Sequence, residues 1–271
     1  MLRERVLVSA ILLPVGMVFI YVGGIAYALF VTLILALAAN EYVQLFRTGG
    51  YQPAGVLVLA GVVGLALGRA YDGFDSAPWI TSLVALGIMT YHLVSYERGR
   101  DQAGTDFGIS LGGVVYFGWV GSYLISLRQL PEGLWWFLLA LPVIWFADSG
   151  AYFIGKRWGK HKLSPRLSPK KTWEGYLAGI VWGVAGGVLL AALWGLAAGR
   201  DSSIAPWHGA VLGLLLSILT PLGDLGESMV KRQVGVKDSG KLLPGHGGAW
   251  DRIDSWLWAG VLGYYLIIWL F

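Results

Sequence analysis

Two stretches of this 271-residue chain concentrate the residue types that do chemistry. The denser one runs from Pro221 to Ser255 and contains Asp224, Ser228, Lys231, Arg232, Lys237, Asp238, Lys241, His246, Asp251, Arg252 and Asp254 around a Pro244-Gly245-His246-Gly247-Gly248 turn. Asp224 and Asp251 close the two ends of this segment, so a chain reversal can bring them together. Two carboxylates, joined by oxygens from substrate phosphates, suit a hard divalent cation such as magnesium. A zinc site is a poor fit, because the chain has no Cys and the cluster has one His. Lys231, Arg232, Lys237 and Lys241 can neutralise a polyphosphate, and the Gly247-Gly248 turn lets backbone amides approach it. Metal-bridged phosphates, charge neutralisation and in-line positioning are the requirements of phosphoryl or nucleotidyl transfer.

The second stretch begins with Asp148-Ser149-Gly150-Ala151-Tyr152, inside an apolar run, and continues into a basic loop with seven cations between Lys156 and Lys171. A carboxylate at membrane depth is costly and is read first as functional. In the loop, Gly, Ser and Thr donors interleave with the cations, as in a phosphate-binding loop. Ser168-Pro169 followed by Thr172 and Glu174 reads as a helix start. Each feature also has a duller reading. Asp148 can make a structural helix-to-helix hydrogen bond, and the basic loop can anchor to anionic headgroups. Asp251, Arg252 and Asp254 can form a local salt-bridge cap, Asp238 a turn, Lys241 a solvated surface charge, and His246 a turn cap. The joint pattern favours chemistry, since a purely structural loop has no need of so many cations, carboxylates and glycines together.

The elements that must position these residues are apolar helices. The chain is 56% hydrophobic and 13% charged, against about 25% charged for a soluble domain. This excludes a disordered or nucleic-acid-coating protein, and the absence of Cys excludes a disulfide scaffold or a thiol nucleophile. Nine apolar stretches qualify as spans: Val6–Val22, Ile25–Ala39, Ala54–Gly68, Trp79–Ser95, Phe107–Leu127, Leu134–Ile154, Tyr176–Ala198, Ala210–Leu225 and Trp256–Phe271. None shows the alternation of a barrel strand, and Val6–Val22 reads as a retained span rather than a cleaved leader. The glycines Gly61, Gly64, Gly68, Gly183, Gly186 and Gly187 suit close helix packing in lipid, or are merely tolerated there.

The expectation is therefore an all-α polytopic membrane protein forming a single domain. Residues 1–132 make an N-terminal five-helix region; residues 133–271 carry the catalytic helices and two loops, 155–175 and 226–255. With nine spans, 17 of the 20 Lys and Arg fall on one side. Basic loops stay cytoplasmic, which places the N-terminus and both loops inside and the site on the cytoplasmic face of the inner (plasma) membrane.

The run Ser228-x-x-Lys231-Arg232-x4-Lys237-Asp238-x-Gly240-x3-Pro244-x-His246-Gly247-Gly248-x2-Asp251-Arg252-x-Asp254 resembles the signature of phosphatidate cytidylyltransferases, also called CDP-diacylglycerol synthases. Asp148-Ser149-x-Ala151-Tyr152 and Ser168-Pro169-Lys170-Lys171-Thr172-x-Glu174-Gly175 resemble further motifs of that family, in the same order; Ser149 stands where threonine is common. The likeness covers roughly the C-terminal half, the N-terminal spans matching only in hydrophobicity.

It implies CTP and phosphatidate as substrates within a lipid bilayer, no nucleic acid, and a magnesium centre, with a monovalent cation such as potassium beside it, at Asp224 and Asp251. On this reading Lys231, Arg232, Lys237 and Arg252 meet CTP or lipid phosphates, while Ser228, Asp238, His246 and Asp254 position the loop or the substrates. Asp148, Lys170 and Lys171 form a facing wall near the lipid headgroup, Gly247 and Gly248 line the substrate, and a homodimer is admitted without being required. Related membrane transferases, such as a CTP-dependent polyprenol kinase or an archaeal-type CDP-lipid synthase, share this logic. A transporter is disfavoured because the polar residues gather in two loops on one face. A reporter fused after Phe271 is expected to lie outside the cell, and a cytoplasmic signal from it overturns the nine-span count.

Overall fold

The computed structural model describes residues 2–199, 202–240 and 247–271, with the backbone alone for 2–9 and 11. Its helices are α1 (Leu2–Val22), α2 (Gly24–Thr48), α3 (Gly55–Asp72), α4 (Ala77–Glu97), α5 (Ala103–Gly113), α6 (Tyr123–Gln129), α7 (Gly133–Trp158), α8 (Trp173–Ala198), α9 (Pro206–Leu219), α10 (Pro221–Gln233) and α11 (Trp250–Leu270), with a π-helical stretch at Val114–Val120. Two short antiparallel strands, β1 (Lys162–Ser164) and β2 (Ser168–Thr172), pair Lys162 with Thr172 and Ser164 with Ser168.

Among the described residues, eight helical stretches are long and apolar enough to cross a membrane, Ala103–Gln129 and Pro206–Gln233 each counting as one. The chain is an all-α polytopic membrane protein, since in hydrocarbon only helices or closed barrels satisfy their own backbone. The first expected span, Val6–Val22, lies within α1, and its side chains at 6–9 and 11 fall outside the described residues. Bare apolar side chains such as Leu33, Leu83, Val181 and Leu196 cover the outer helix faces, as lipid requires.

The helices extend past the apolar stretches. The segment read as a loop over 226–255 is helical to Gln233 and again from Trp250, and the segment over 155–175 holds the end of α7, the hairpin and the start of α8. Hydrophobicity stops at the edge of the hydrocarbon, whereas a helix continues until a cap or a glycine ends it. Thr172 is such a cap: its hydroxyl accepts from the Gly175 amide at 3.2 Å, as the Thr172/Glu174 part of the expected helix start predicts, whereas Ser168-Pro169 belongs to β2 and not to the helix.

The chain groups into two compact units, Met1–Ser126 with Val230–Ile253, and Leu127–Met229 with Asp254–Phe271. In the first, α2 is tied by side chains that reach neighbouring backbone. Tyr27 donates to the Leu124 carbonyl (3.0 Å) and Tyr42 to that of Ile109 (2.9 Å). Asp106 is fully buried and accepts from Arg100 Nε (2.7 Å) and the Gln52 amide (2.9 Å), tying the α2–α3 connection to the α4–α5 connection. Arg69, 2% exposed, lies over the Phe74 ring at 3.6 Å and donates to Ser126 Oγ at 2.9 Å. Desolvated cation–π contacts of this kind are worth about 2 kcal/mol.

In the second unit α7, α8 and α9 pack on glycine. A methyl group on Gly213 would stand 2.9 Å from Val184 Cα, and one on Gly179 would stand 2.9 Å from the Ala147 carbonyl oxygen. Gly183 and Gly187 abut α9, and Gly186 abuts Phe146. In the first unit Gly61 lies against Val84 and Val114, and Gly68 against Ser76 and Ile80. These glycines serve close approach rather than being merely tolerated. Pro142 interrupts α7 and cannot donate to the Leu138 carbonyl; the Trp194 indole of α8 donates to that carbonyl instead, at 3.0 Å. Gly213→Leu is expected to cost about 1–3 kcal/mol through overpacking, whereas Gly104→Ala, with open space around it, stays within about 0.5 kcal/mol. Thermal unfolding in detergent checks both.

Candidate active site

Asp224 and Glu227 lie on α10 and Asp254 on α11. What lets these helices approach is Gly223: a methyl group there would stand 2.8 Å from Trp258 Cδ1 and 3.0 Å from the Asp254 carbonyl carbon. One carboxylate oxygen from each of Asp224, Glu227 and Asp254 then falls within 4.8 Å of the others. At that spacing each ionised pair repels by about 3 kcal/mol at an effective dielectric of about 20, so a cation or a proton has to offset it. Lys171, from β2, supplies one positive charge by pairing with Asp224. The set is all oxygen, the ligand type of a hard cation such as magnesium.

Lys171 also links this trio to a cavity in the same unit. The cavity measures about 540 Å³ and is walled by Asp148, Tyr152 and Lys156 of α7, Lys162, Lys170 and Lys171 of the hairpin, Tyr176 of α8 and Pro221 of α10. Its shape follows from the crossing of α7 and α8, where a methyl on Gly175 would stand 3.0 Å from Gly155 Cα. The hairpin is held by Glu174, which accepts from the Lys160 amide (3.1 Å), the His161 amide (3.2 Å) and His161 Nδ1 (2.6 Å). Four lysines beside aromatic and apolar surface make a place for a phosphate carrying an apolar tail.

In the first unit, Asp251 at the start of α11 accepts from Lys231 Nζ (2.7 Å), the Ser239 amide (3.0 Å), Ser239 Oγ (2.9 Å) and the Gly248 amide (2.8 Å). The Lys231 and Asp251 side chains are 9% and 10% exposed, so this is a buried ion pair. Gly247 has φ +82°, and a methyl there would stand 2.5 Å from Asp251 Oδ2. Gly247 and Gly248, expected along a substrate, thus wrap the Asp251 carboxylate. Glu41 of α2 accepts from the Ala249 amide (2.8 Å), the Trp250 amide (2.9 Å) and Ser239 Oγ (3.1 Å).

The sequence-predicted residues distribute as follows. Asp148, Lys170 and Lys171 share the cavity. Asp224 and Asp251, paired in expectation as metal ligands, belong to different units, and Asp224 has Glu227 and Asp254 beside it. Arg232, Lys237, Asp238 and Arg252 are exposed, Arg232 donating to the Val236 carbonyl at 3.0 Å, and Ser228 is buried. His246, with Lys241, lies outside the described residues.

Sequence reasoning passed over Glu227, Lys156, Lys162, Ser239 and Glu41 as site residues. Glu41 carried a usable signal: it is an acidic residue in a membrane helix, the same argument that singled out Asp148. The apolar stretch Ile25–Ala39 ends two residues before it, which leaves Glu41 outside the expected span.

A lysine-lined cavity joined to a carboxylate trio on a membrane-helical scaffold has the chemistry of a class of protein that could bind phosphates at a membrane surface. Residues 3–270 match the family model described as "Cytidylyltransferase family". The chain is 33% identical to a protein of Synechocystis sp. named phosphatidate cytidylyltransferase, over 98% of this chain and 96% of the relative. Proteins of the same name from Brucella suis biovar 1 (34%, over 97% of this chain and 92% of the relative) and Staphylococcus saprophyticus (32%, over 94% and 95%) are similar to it as well. This chain belongs to the cytidylyltransferase family.

Lys231→Met removes the buried Lys231–Asp251 ion pair and is expected to cost about 3 kcal/mol of stability. Arg232→Met, at an exposed position, is expected to change stability by less than about 0.5 kcal/mol. Equilibrium unfolding of the two variants in one detergent compares them.

Proposed function

We propose that this protein transfers the cytidylyl group of CTP to the phosphate of phosphatidate, giving CDP-diacylglycerol and pyrophosphate, at the cytoplasmic face of a bacterial inner membrane. The observation that carries this reading is the Lys171–Asp224 link, which places a lysine-walled cavity suited to a lipid phosphate directly beside an all-oxygen carboxylate trio. Near-full-length similarity to proteins named phosphatidate cytidylyltransferase supports the choice of substrates.

A phosphate oxygen of phosphatidate attacks the α-phosphorus of CTP. The new P–O bond forms as the α-phosphorus to bridging-oxygen bond breaks, and pyrophosphate carries away that electron pair. A phosphomonoester has a second pKa near 6, so the nucleophile is ionised at neutral pH and no strong general base is needed. The protein's task is to hold two polyanions together against their repulsion. Lys156, Lys162, Lys170 and Lys171 would bind the lipid phosphate, with Tyr152 and Tyr176 against its glycerol end. Lys231, Arg232, Lys237 and Arg252 are assigned to nucleotide or lipid phosphates, and Ser228, Asp238 and His246 to positioning the segment that carries them.

The carboxylates of Asp224, Glu227 and Asp254 fit a hard cation and would hold it; for Asp251 a metal-binding role rests on the family resemblance alone. Magnesium, when bound there, supplies charge neutralisation at the phosphates, with potassium as its companion.

The test is release of pyrophosphate from labelled CTP by the purified protein in lipid nanodiscs. Release is expected with phosphatidate and magnesium together, and not when either is left out. Asp224→Asn and Asp251→Asn are each expected to lower the rate at least ~100-fold; Asp224→Asn folds normally, whereas Asp251→Asn also breaks the buried pair with Lys231 and loses about 3 kcal/mol of stability. Full activity in either variant overturns its assignment, and transfer to a polyprenol instead of phosphatidate overturns the substrate.

A further inference from the structure

Glu41 is the one acidic residue of α2 and is 9% exposed. Its three donors come from residues about two hundred positions away in sequence: the Ala249 amide at 2.8 Å, the Trp250 amide at 2.9 Å and Ser239 Oγ at 3.1 Å. The backbone packs directly onto the carboxylate, since a methyl on Gly240 would stand 2.6 Å from Glu41 Oε1. The next residue, Tyr42, meets the Trp250 ring edge-on with centroids 5.6 Å apart. This is a built contact between the middle of the N-terminal region and the start of α11.

Two carboxylates therefore hold one strip of chain. Gly248 donates its amide to Asp251, while Ala249 and Trp250 donate theirs to Glu41. Ser239 Oγ lies within hydrogen-bond distance of both carboxylates. Amides in the first turn of a helix have no partner within the helix and need an acceptor from outside. Glu41 is that acceptor for α11, and Asp251 is the second residue of the same helix. A carboxylate only accepts, which two converging amides and a hydroxyl shared with Asp251 require; an amide in its place would turn an N–H₂ group toward N–H groups.

We infer that Glu41 is a positioning residue for the transfer reaction: it fixes the first turn of α11 and, through that turn and Ser239, the orientation of Asp251. The inference rests on the proposed cytidylyl transfer for its kinetic consequence, but not for its structural one.

The experiment compares wild type, Glu41→Gln, Glu41→Asp, Ser239→Ala and the control Glu132→Gln in nanodiscs, by amide hydrogen exchange and by steady-state kinetics. Glu132 binds Ser202 and Ser203, away from any residue assigned to the site. Glu41→Gln is expected to speed exchange at least ~10-fold not only at Ala249 and Trp250, its own donors, but also at Ser239 and Gly248, whose amides bond to Asp251. It is expected to cut kcat about 100-fold while leaving the KM for phosphatidate within about threefold. Glu41→Asp keeps the acceptors and recovers part of both effects, and Ser239→Ala reproduces the kcat loss in weaker form. Glu132→Gln changes neither.

Faster exchange confined to Ala249 and Trp250 with kcat intact makes Glu41 a local cap only and overturns the inference, as does a kcat loss with exchange at Ser239 and Gly248 unmoved. If Glu41→Gln does not fold, Glu41→Asp and Ser239→Ala decide by the same two readouts. A wild type that makes no CDP-diacylglycerol refutes the proposed function, and exchange at Ser239 and Gly248 then decides the positioning role alone.

Discussion

A carboxylate buried in an apolar helical protein has to be surrounded by donors, and much of this molecule is arranged around that requirement. Leaving an ionised group unpaired in such surroundings costs several kcal/mol, comparable with the whole stability of a small domain. Asp106, Glu41 and Asp251 each meet the demand with backbone amides reinforced by a cation or a hydroxyl. The donors come from distant segments, so each carboxylate also acts as a tertiary knot.

Close helix packing supplies the second half of the design. Lipid offers no hydrophobic reward for bringing two apolar helices together, so contact has to come from small residues and specific hydrogen bonds. Gly179, Gly183 and Gly187 let α8 lie against its neighbours, and the Trp194 indole satisfies the carbonyl that Pro142 leaves without a donor. The same device reaches into the site. Gly223 lets Asp224 stand near Asp254, and Gly155 with Gly175 opens the crossing that walls the lysine cavity. Packing of this kind holds the helix-borne charged groups of the site in place.

The basic loop between α7 and α8 illustrates how one segment serves several ends. Its hairpin is anchored by Glu174 and capped into α8 by Thr172, so the lysines project from an ordered scaffold. Lys171 faces the carboxylates while Lys162 and Lys170 face the cavity. Headgroup anchoring and phosphate binding, which were alternatives for this loop, describe the same lysines if the lipid is the substrate.

Composition and apolar runs by themselves determined that the chain is a polytopic helical membrane protein, and the Ser228-to-Asp254 motif determined its family. Both are local properties, written in consecutive residues and legible one window at a time. The helix start at Thr172 was legible for the same reason. The ends of the helices were less so: the apolar runs stopped at Ala39 and Leu225, while the helices ran on through Glu41 and to Gln233. Only the tertiary structure decided which acidic residues stand together. It set Asp224 beside Glu227 and Asp254, and it brought Glu41 to the amides of Ala249 and Trp250. Those pairings depend on how closely helices approach at a particular glycine and which way a side chain then points. No spacing along the chain records that, because the partners lie up to two hundred residues apart.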